Sequence, residues 1–252
     1  MTRGKVDALI QARMGSERLP GKILLQIAGK PLLRRVLDQL KKAHSVDRVI
    51  VATTTNVVDD AVEEYCLSQG VLCYRGSVDN VLQRYIGACD KFGVKRLARV
   101  CSDNPLIDPD LLDELASSFL PNVDYCSYYT ELNSPLILEP SGLFAELTTS
   151  AALKRSLRFF EKNGDAKIIE HVTFHMHQNP DKYKIKKVTL PDWIDPKIRL
   201  TVDFPEDVDF IESLITQMLD REGGERAFRI LRSDPILAKR MRAFSERNPK
   251  VY

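Results

Sequence analysis

Ile10-Gln11-Ala12-Arg13-Met14-Gly15-Ser16-Glu17-Arg18-Leu19-Pro20-Gly21-Lys22 is the stretch on which the reading of the chain turns. It follows the apolar alternation of Val6, Ala8 and Ile10, which predicts a buried first strand, and Gly15, Pro20 and Gly21 forbid regular structure just beyond it. A loop must therefore leave the strand's carboxyl end. Its glycines let backbone approach a ligand closely, while Arg13, Arg18 and Lys22 place three cations in a segment opposed only by Glu17. That is chemistry for phosphate. The P-loop pattern, Gly, four residues, then Gly-Lys-Ser/Thr, does not describe it, because five residues separate Gly15 from Gly21 and Ile23 stands where a magnesium-binding hydroxyl belongs. The dinucleotide Gly-x-Gly-x-x-Gly pattern is missing as well.

Working outward, 252 residues suit a single α/β domain spanning 1–252 with a substantial core. Thirty-seven Lys and Arg against thirty-five Asp and Glu leave a net charge of +2, which argues against a nucleic-acid or membrane-surface binder. No apolar run reaches transmembrane length and the start lacks a signal-peptide core, so a cytoplasmic protein is expected. Five cysteines without Cys-x-x-Cys spacing indicate neither a disulfide framework nor a zinc site.

Past the loop, Leu32, Leu33, Val36, Leu37 and Leu40 keep helical spacing from Pro31 to about Ala43. Strand-like runs follow at Arg48 to Thr53, Val71 to Arg75 and Arg96 to Cys101, separated by helical patterns from about Val58 to Gln69 and Val78 to Phe92, the latter with Ser77 as its cap. This alternation predicts a mostly parallel sheet with helices on both faces, and ligands then sit at the strands' carboxyl ends. The residues that follow each strand are polar: the cationic loop, then Thr53, Thr54, Thr55 and Asn56, then Arg75-Gly76-Ser77, then Ser102-Asp103-Asn104-Pro105. The tyrosine- and proline-rich stretch 121–147, with 183–190, reads as a small β excursion. Leu143 to Leu147 reads as another strand, Thr149 caps a helix to about Lys162, another amphipathic helix spans about Lys167 to Gln178, and Arg199 to Val202 reads as the last strand. Two further helices close the chain, and the run Arg226, Arg229, Arg232, Lys239, Arg240, Arg242, Arg247 and Lys250 reads as solvated helix surface.

Asp103 ends the fourth strand, with Pro105 keeping the backbone near it extended. Asp203 ends the last strand, and it too is followed two residues on by proline. Two carboxylates facing a cationic loop make an oxygen-rich site suited to Mg2+ shared with nucleotide phosphates. Capping is the competing role. Asp108 before Pro109, and Glu206 and Asp207 after Pro205, are better placed to cap the following helices.

The loop resembles, over its whole length, the signature of the sugar-activating cytidylyltransferases: CMP-Kdo synthetase, CMP-sialic acid synthetase and the spore-coat polysaccharide branch. Its Ile-Gln-Ala-Arg-Met-Gly-Ser opening is most similar to the last. Ser102-Asp103-Asn104-Pro105-Leu106-Ile107 resembles the family's Gly-Asp-x-Pro-Leu-Ile, and Val202-Asp203-Phe204-Pro205-Glu206-Asp207 its Val-Asp-Thr-Pro-Glu-Asp, with Ser102 and Phe204 as departures. Residues 75–85, Arg-Gly-Ser-Val-Asp-Asn-Val-Leu-Gln-Arg-Tyr, are similar to a second block bordering the nucleotide pocket, where Gly76 and Ser77 would meet the base; Arg84 fits either that pocket or surface charge.

The resemblance implies a Rossmann-like fold of the nucleotide-diphospho-sugar transferase kind, a homodimer paired through the tyrosine-rich region, and catalytic magnesium on Asp103 and Asp203. It implies CMP transfer from CTP to an acidic sugar or related anionic acceptor with release of pyrophosphate, for surface polysaccharide or glycoconjugate assembly; related proteins use phosphorylated or phosphonate acceptors. Catalysis is expected from Arg13, Lys22, Asp103 and Asp203. The nucleotide is expected on Ala12, Arg13, Gly15, Ser16, Arg18, Lys22, Thr53, Thr54, Asn56, Gly76, Ser77 and Ser102, and the acceptor near Arg158, Glu170 and His171. His171 and His175, one helical turn apart, also invite a zinc reading, but the order Glu170-His171 is not the zincin order. A nucleotide-sugar-dependent glycosyltransferase would need Asp-x-Asp after a strand, which Asp103-Asn104-Pro105 does not supply, and a non-catalytic nucleotide-binding module would have no need of both Asp103 and Asp203.

Overall fold

The structure, a computed structural model, describes residues 4–218 and 224–248. Strands β1 (Val6–Gln11), β4 (Val46–Thr54), β5 (Leu72–Gly76), β6 (Arg96–Cys101), β7 (Tyr125–Tyr129), β8 (Glu146–Thr149) and β9 (Ile185–Thr189) form one seven-stranded sheet in the order β5-β4-β1-β6-β8-β7-β9. Only β8 runs against its neighbours; β1 pairs in parallel with β4 and β6, and β7 with β9. Two short strands, β2 (Gln26–Ile27) and β3 (Lys30–Pro31), make a separate hairpin after the loop. The mostly parallel α/β class expected from the alternating elements is the one observed.

Apolar side chains fill both faces of this sheet. On one, α1 (Leu32–Leu40), α2 (Asp60–Ser68), α4 (Pro109–Ser118), α8 (Pro205–Gln217), α9 (Gly224–Ser233) and α10 (Pro235–Arg247) pack against Val6, Ala8, Ile10, Ala98 and Val100. On the other, α3 (Val81–Phe92), α5 (Ser150–Asn163), α6 (Ala166–Glu170) and α7 (Phe174–Gln178) pack against Leu9, Ile50, Ala52 and Leu97. Burial on both sides explains why β1 and β6 carry apolar residues on both faces, Ala8 and Ile10 opposite Leu9 and Ala98 and Val100 opposite Leu97. The chain winds outward from β1 to β4 and β5, then returns to place β6 on β1's other side. The crevice between the carboxyl ends of β1 and β6 is thus the topological switch point, where open α/β sheets bind ligands. Among the described residues no helix is long and apolar enough to cross a membrane.

Five local expectations change. Asn80, not Ser77, caps α3, accepting from Gln83 N at 2.8 Å, while Ser77 Oγ accepts from Asn80 N at 3.0 Å in the preceding turn. The strands of the expected β excursion belong to the main sheet: β7 and β9 lie within it, and Tyr125, Tyr128 and Tyr129 are buried. The strand expected at 143–147 begins later, at Glu146.

The helix expected over Lys167 to Gln178 is two short helices, broken where the Thr173 hydroxyl is drawn to buried Glu146, whose carboxylate oxygens lie 2.8 and 2.9 Å away. Arg199 to Val202 joins no ladder; Leu200 N donates to Pro140 O at 3.0 Å and Val202 N to Asp103 O at 2.9 Å, so the segment crosses the end of β6 instead of extending the sheet. In the terminal helices Arg229, Arg232, Lys239, Arg240, Arg242 and Arg247 are exposed, as a solvated face requires. The Arg226 side chain, Lys250 and the start of the chain at Met1 lie outside the described residues.

Candidate active site

The loop after β1 is folded onto itself. Met14 O accepts from Ser16 N and from Gly21 N, both at 2.9 Å, and Gly21 closes the turn at φ +71°, a conformation that favours glycine. Asp59, which the sequence reading passed over, anchors it from the side: its Oδ1 accepts from Met14 N at 2.7 Å and its Oδ2 from the Thr54 hydroxyl. Gly15 opens onto free space on the side where a side chain would start, leaving its backbone accessible to a ligand.

Lys22, at the end of this loop, points into the crevice and is nearly buried. Its Nζ donates to Asp203 Oδ1 at 2.9 Å, to Val202 O at 2.8 Å and to Asp103 Oδ2 at 3.4 Å. One ammonium thus joins carboxylates a hundred positions apart. Arg18 Nη2 reaches Asp203 Oδ1 at 2.8 Å while its guanidinium lies 4.9 Å from the centroid of the Phe204 ring, so the departure at Phe204 supplies a platform for a loop cation. Behind them, buried Arg199 donates to Asp203 Oδ2 at 3.1 Å and its Nε lies 3.7 Å from Asp207 Oδ1. Asp207 Oδ2 accepts from the Asp203 and Phe204 backbone N–H groups at 2.8 and 3.0 Å. Asp207 therefore caps α8, and Asp203 is released from that role.

The charges respond to this crowding. Burial by itself would push the Lys22 ammonium down, yet Asp103 and Asp203 hold it above its ordinary value. Burial would raise the Asp203 carboxyl, but Lys22, Arg18 and Arg199 keep it below the usual carboxylate range. Asp207 has less help and is pushed up to about 6 by burial.

These groups open onto a cleft of ≈ 550 Å³ lined by Ala12, Arg13, Ser16, Arg18, Lys22, Ser102, Asp103 and Asp203, with Gln11, Glu17, Arg84 and Arg99. Glu170 and His171, at the end of α6, line it too. The structure thus brings the first-loop residues, both carboxylates and part of the expected acceptor set to one place.

Other expected residues lie elsewhere. Thr53 and Thr54 end β4, on the side of β1 away from the switch point, and Thr54 acts through Asp59 on the loop. Asn56 is exposed and caps a short 3-10 turn over Val57–Asp59. Gly76 ends β5, two strands out, and Ser77 follows it; a Cβ on Gly76 would meet Tyr74 Cε1 at 2.7 Å and Arg84 Cγ of α3 at 3.2 Å, so that glycine serves the packing of α3 on β5. Arg158 is exposed on α5, where its charge is felt by Tyr183. A larger groove of ≈ 750 Å³ between residues 192–198 and the last two helices is lined mainly by apolar side chains and lies away from these carboxylates.

Among the described residues no group of three or more His, Cys, Asp or Glu side chains is placed to hold a metal ion. His175 instead stacks on Phe159 at 4.1 Å between ring centroids and pairs its Nδ1 with the Tyr183 hydroxyl at 2.8 Å, so the helix break that separates it from His171 removes the zinc reading. Two carboxylates on one nitrogen are still a fit for a hard cation that takes its remaining oxygens from phosphate and water. Asp103 Oδ1, enclosed and without a protein partner, is free to serve as such a ligand.

Sequence reasoning missed Asp59, Arg99, Arg199 and Glu146. A charge inside an apolar run was the available signal for both arginines, in Leu97-Ala98-Arg99-Val100 and Ile198-Arg199-Leu200. Arg99 Nη1 meets Glu146 Oε2 at 2.7 Å, with Tyr125 also donating to that carboxylate.

Comparison with known proteins bears on family and fold. The cytidylyltransferase family model matches residues 8–239. The spore coat polysaccharide biosynthesis protein SpsF of Bacillus subtilis is 31% identical over 224 residues, covering 86% of this chain and 87% of its own. A cytidylyltransferase structure from Leptospira borgpetersenii aligns over 99% of both chains with a TM-score of 0.83 and 28% identity. The structure of CMP:2-keto-3-deoxy-manno-octonic acid synthetase complexed with CTP aligns over 86% of this chain and all of its own at a TM-score of 0.62; at 18% identity that likeness speaks to fold alone.

Proposed function

The chain belongs to the cytidylyltransferase family, and with it to the nucleotidyltransferase enzymes, and we propose that it transfers CMP from CTP to an acidic sugar or related anionic acceptor and releases pyrophosphate. The observation that carries this reading is Lys22, held between Asp103 and Asp203 under the turn that bears Arg13 and Arg18. Arg13, Ser16, Arg18 and Lys22 take the triphosphate, with the Gly15 backbone close to it. An acceptor oxygen attacks the α-phosphorus in line as the bond to the β-phosphate oxygen breaks. Fixed cations facing the oxygens that gain charge lower the barrier because they need no reorganisation at the moment of reaction. Asp103 and Asp203 would hold magnesium, which when bound adds neutralising charge on the phosphates. Glu170 and His171 face the acceptor.

The names of relatives, among them a spore coat polysaccharide protein and 3-deoxy-manno-octulosonate cytidylyltransferases, support a place in surface polysaccharide or glycoconjugate assembly. We place the reaction in the cytoplasm and the protein in a homodimer. Because Tyr125, Tyr128 and Tyr129 are buried within one chain, pairing through this region would use its exposed residues, such as Leu132, and not those rings.

Pyrophosphate release with each nucleoside triphosphate, magnesium and 3-deoxy-manno-octulosonate or other acidic sugars tests the proposal. CTP-selective release, lost about 100-fold or more in Asp103→Asn, is the expected result. Release that is indifferent to the base, or unchanged in that variant, would refute it.

A further inference from the structure

Arg84, on α3, is only 3% exposed yet lines the cleft. Its Nε and Nη1 are enclosed and donate to no group of the protein. The other buried cations of the site differ: Lys22 has Asp103 and Asp203, Arg199 has Asp203, and Arg99 has Glu146. Asp59, whose field reaches Arg84, already accepts from Met14 N and Thr54, and Arg13 adds charge of the same sign. A guanidinium does not shed its proton in a protein, so burial leaves a charge to which no acid of the chain is directly paired. The side chain is held there by packing: a Cβ on Gly76 would come 3.2 Å from Arg84 Cγ.

We propose that Arg84 binds the anionic group, carboxylate or phosphate, of the acceptor and makes this enzyme specific for acids. The inference rests on the cytidylyl-transfer reading and adds a specificity-determining residue to it. The loop already supplies Arg13, Arg18 and Lys22 for the triphosphate, whereas Arg84 is carried by a different element. Arg99, on the same cleft wall, offers a second enclosed donor in its unpartnered Nε. Gln11 Oε1, enclosed without a donor, suits a hydroxyl of the same molecule. Two guanidinium groups and a lone amide oxygen are complementary to a hydroxylated acid.

Calorimetric titration of the full chain separates the possibilities. CTP is titrated first; inorganic phosphate is then titrated into the CTP-loaded protein, with chloride matching ionic strength. Wild type is expected to bind phosphate beside CTP, and Arg84→Met to weaken phosphate binding by about 10-fold or more through loss of charge-assisted hydrogen bonds, with CTP affinity held within about 2-fold. The variant's thermal midpoint without anions is expected at or above that of wild type, because an uncompensated buried charge has gone; Arg84→Gln serves the same purpose if methionine prevents folding.

Absence of CTP binding to wild type would overturn the nucleotide reading and the acceptor assignment together. CTP binding with no phosphate response, or with a response the substitution leaves unchanged, overturns the role of Arg84 alone. CTP affinity that falls with the substitution assigns Arg84 to the nucleotide, and a lowered midpoint marks it as structural; either result overturns the proposal.

Discussion

Lys22 and Asp103 touch, yet the structure assigns them unequal shares in stability. Lys22 is the shared counter-ion of two carboxylates and also donates to a backbone carbonyl; Asp103 makes one long contact and keeps Oδ1 free. Removing one partner of a buried ion pair strands the other, so Lys22→Met should cost about 2–4 kcal/mol, whereas Asp103→Asn should change stability by less than about 1 kcal/mol. Chemical denaturation checks the first claim, and retained stability alongside lost pyrophosphate release checks the second.

Lys22 and Asp203 also set a pH window. The Asp203 carboxyl is depressed in the folded state, so its contribution is complete above its ordinary 3.8 and is lost as pH falls through the folded value. Lys22 is raised, so its contribution is complete below 10.5 and is lost as pH rises through the folded value. Arg13, Arg18, Lys22, Asp103 and Asp203 were legible as single residues because they sit in long, specific strings after apolar runs. Arg84 was not, because a charge at helical spacing reads the same whether it faces water or a cleft; only the packing of α3 on Gly76 buries it.

Between residue and fold, the segment that delivers Asp203 carries the main departure from the sequence reading. Its apolar alternation, Ile198, Leu200 and Val202, looks like a strand, but the backbone partners it finds are Pro140 O and Asp103 O, outside the strand ladders. Periodicity records which side chains are buried and is silent on where the backbone hydrogen bonds go. The same limit explains the expected 167–178 helix, whose apolar spacing persists across a break imposed by Glu146, a residue far away in sequence.

Gly142 makes the delivery segment testable. It sits at φ +65°, and a Cβ there would lie 2.9 Å from the carbonyl carbon and oxygen of Leu200. Gly142→Ala therefore strains its own backbone and pushes on residues 200–203, with an expected loss of about 1–3 kcal/mol. Because that displacement is passed to Asp203, pyrophosphate release should fall under conditions where circular dichroism still reports a folded chain. Full activity at unchanged stability would show that the segment yields without moving its carboxylate.

On the scale of the whole molecule, alternating apolar runs were enough to place β1, β4, β5 and β6 in a parallel sheet and its ligand at the carboxyl ends. They did not give strand order, which is why the Thr53–Asn56 and Gly76–Ser77 turns, on β1's far side and beyond, were expected in a cleft that forms between β1 and β6. That cleft draws the turn at 12–22, the end of β6 at 102–103 and Asp203 from three distant parts of the chain. A nucleotide binding across all three should stabilise them as one cooperative unit. At about 100 times its Kd, CTP should add about 2.7 kcal/mol, read as an upward shift of a single thermal transition. In Lys22→Met, which starts from a lower midpoint, the CTP-dependent part of the shift should largely vanish, since the side chain that joins the loop to both carboxylates is missing. Two transitions, only one of them moved by CTP, would mean that the turn and Asp203 belong to separately folding parts, and the convergence on which the proposed chemistry depends would not hold.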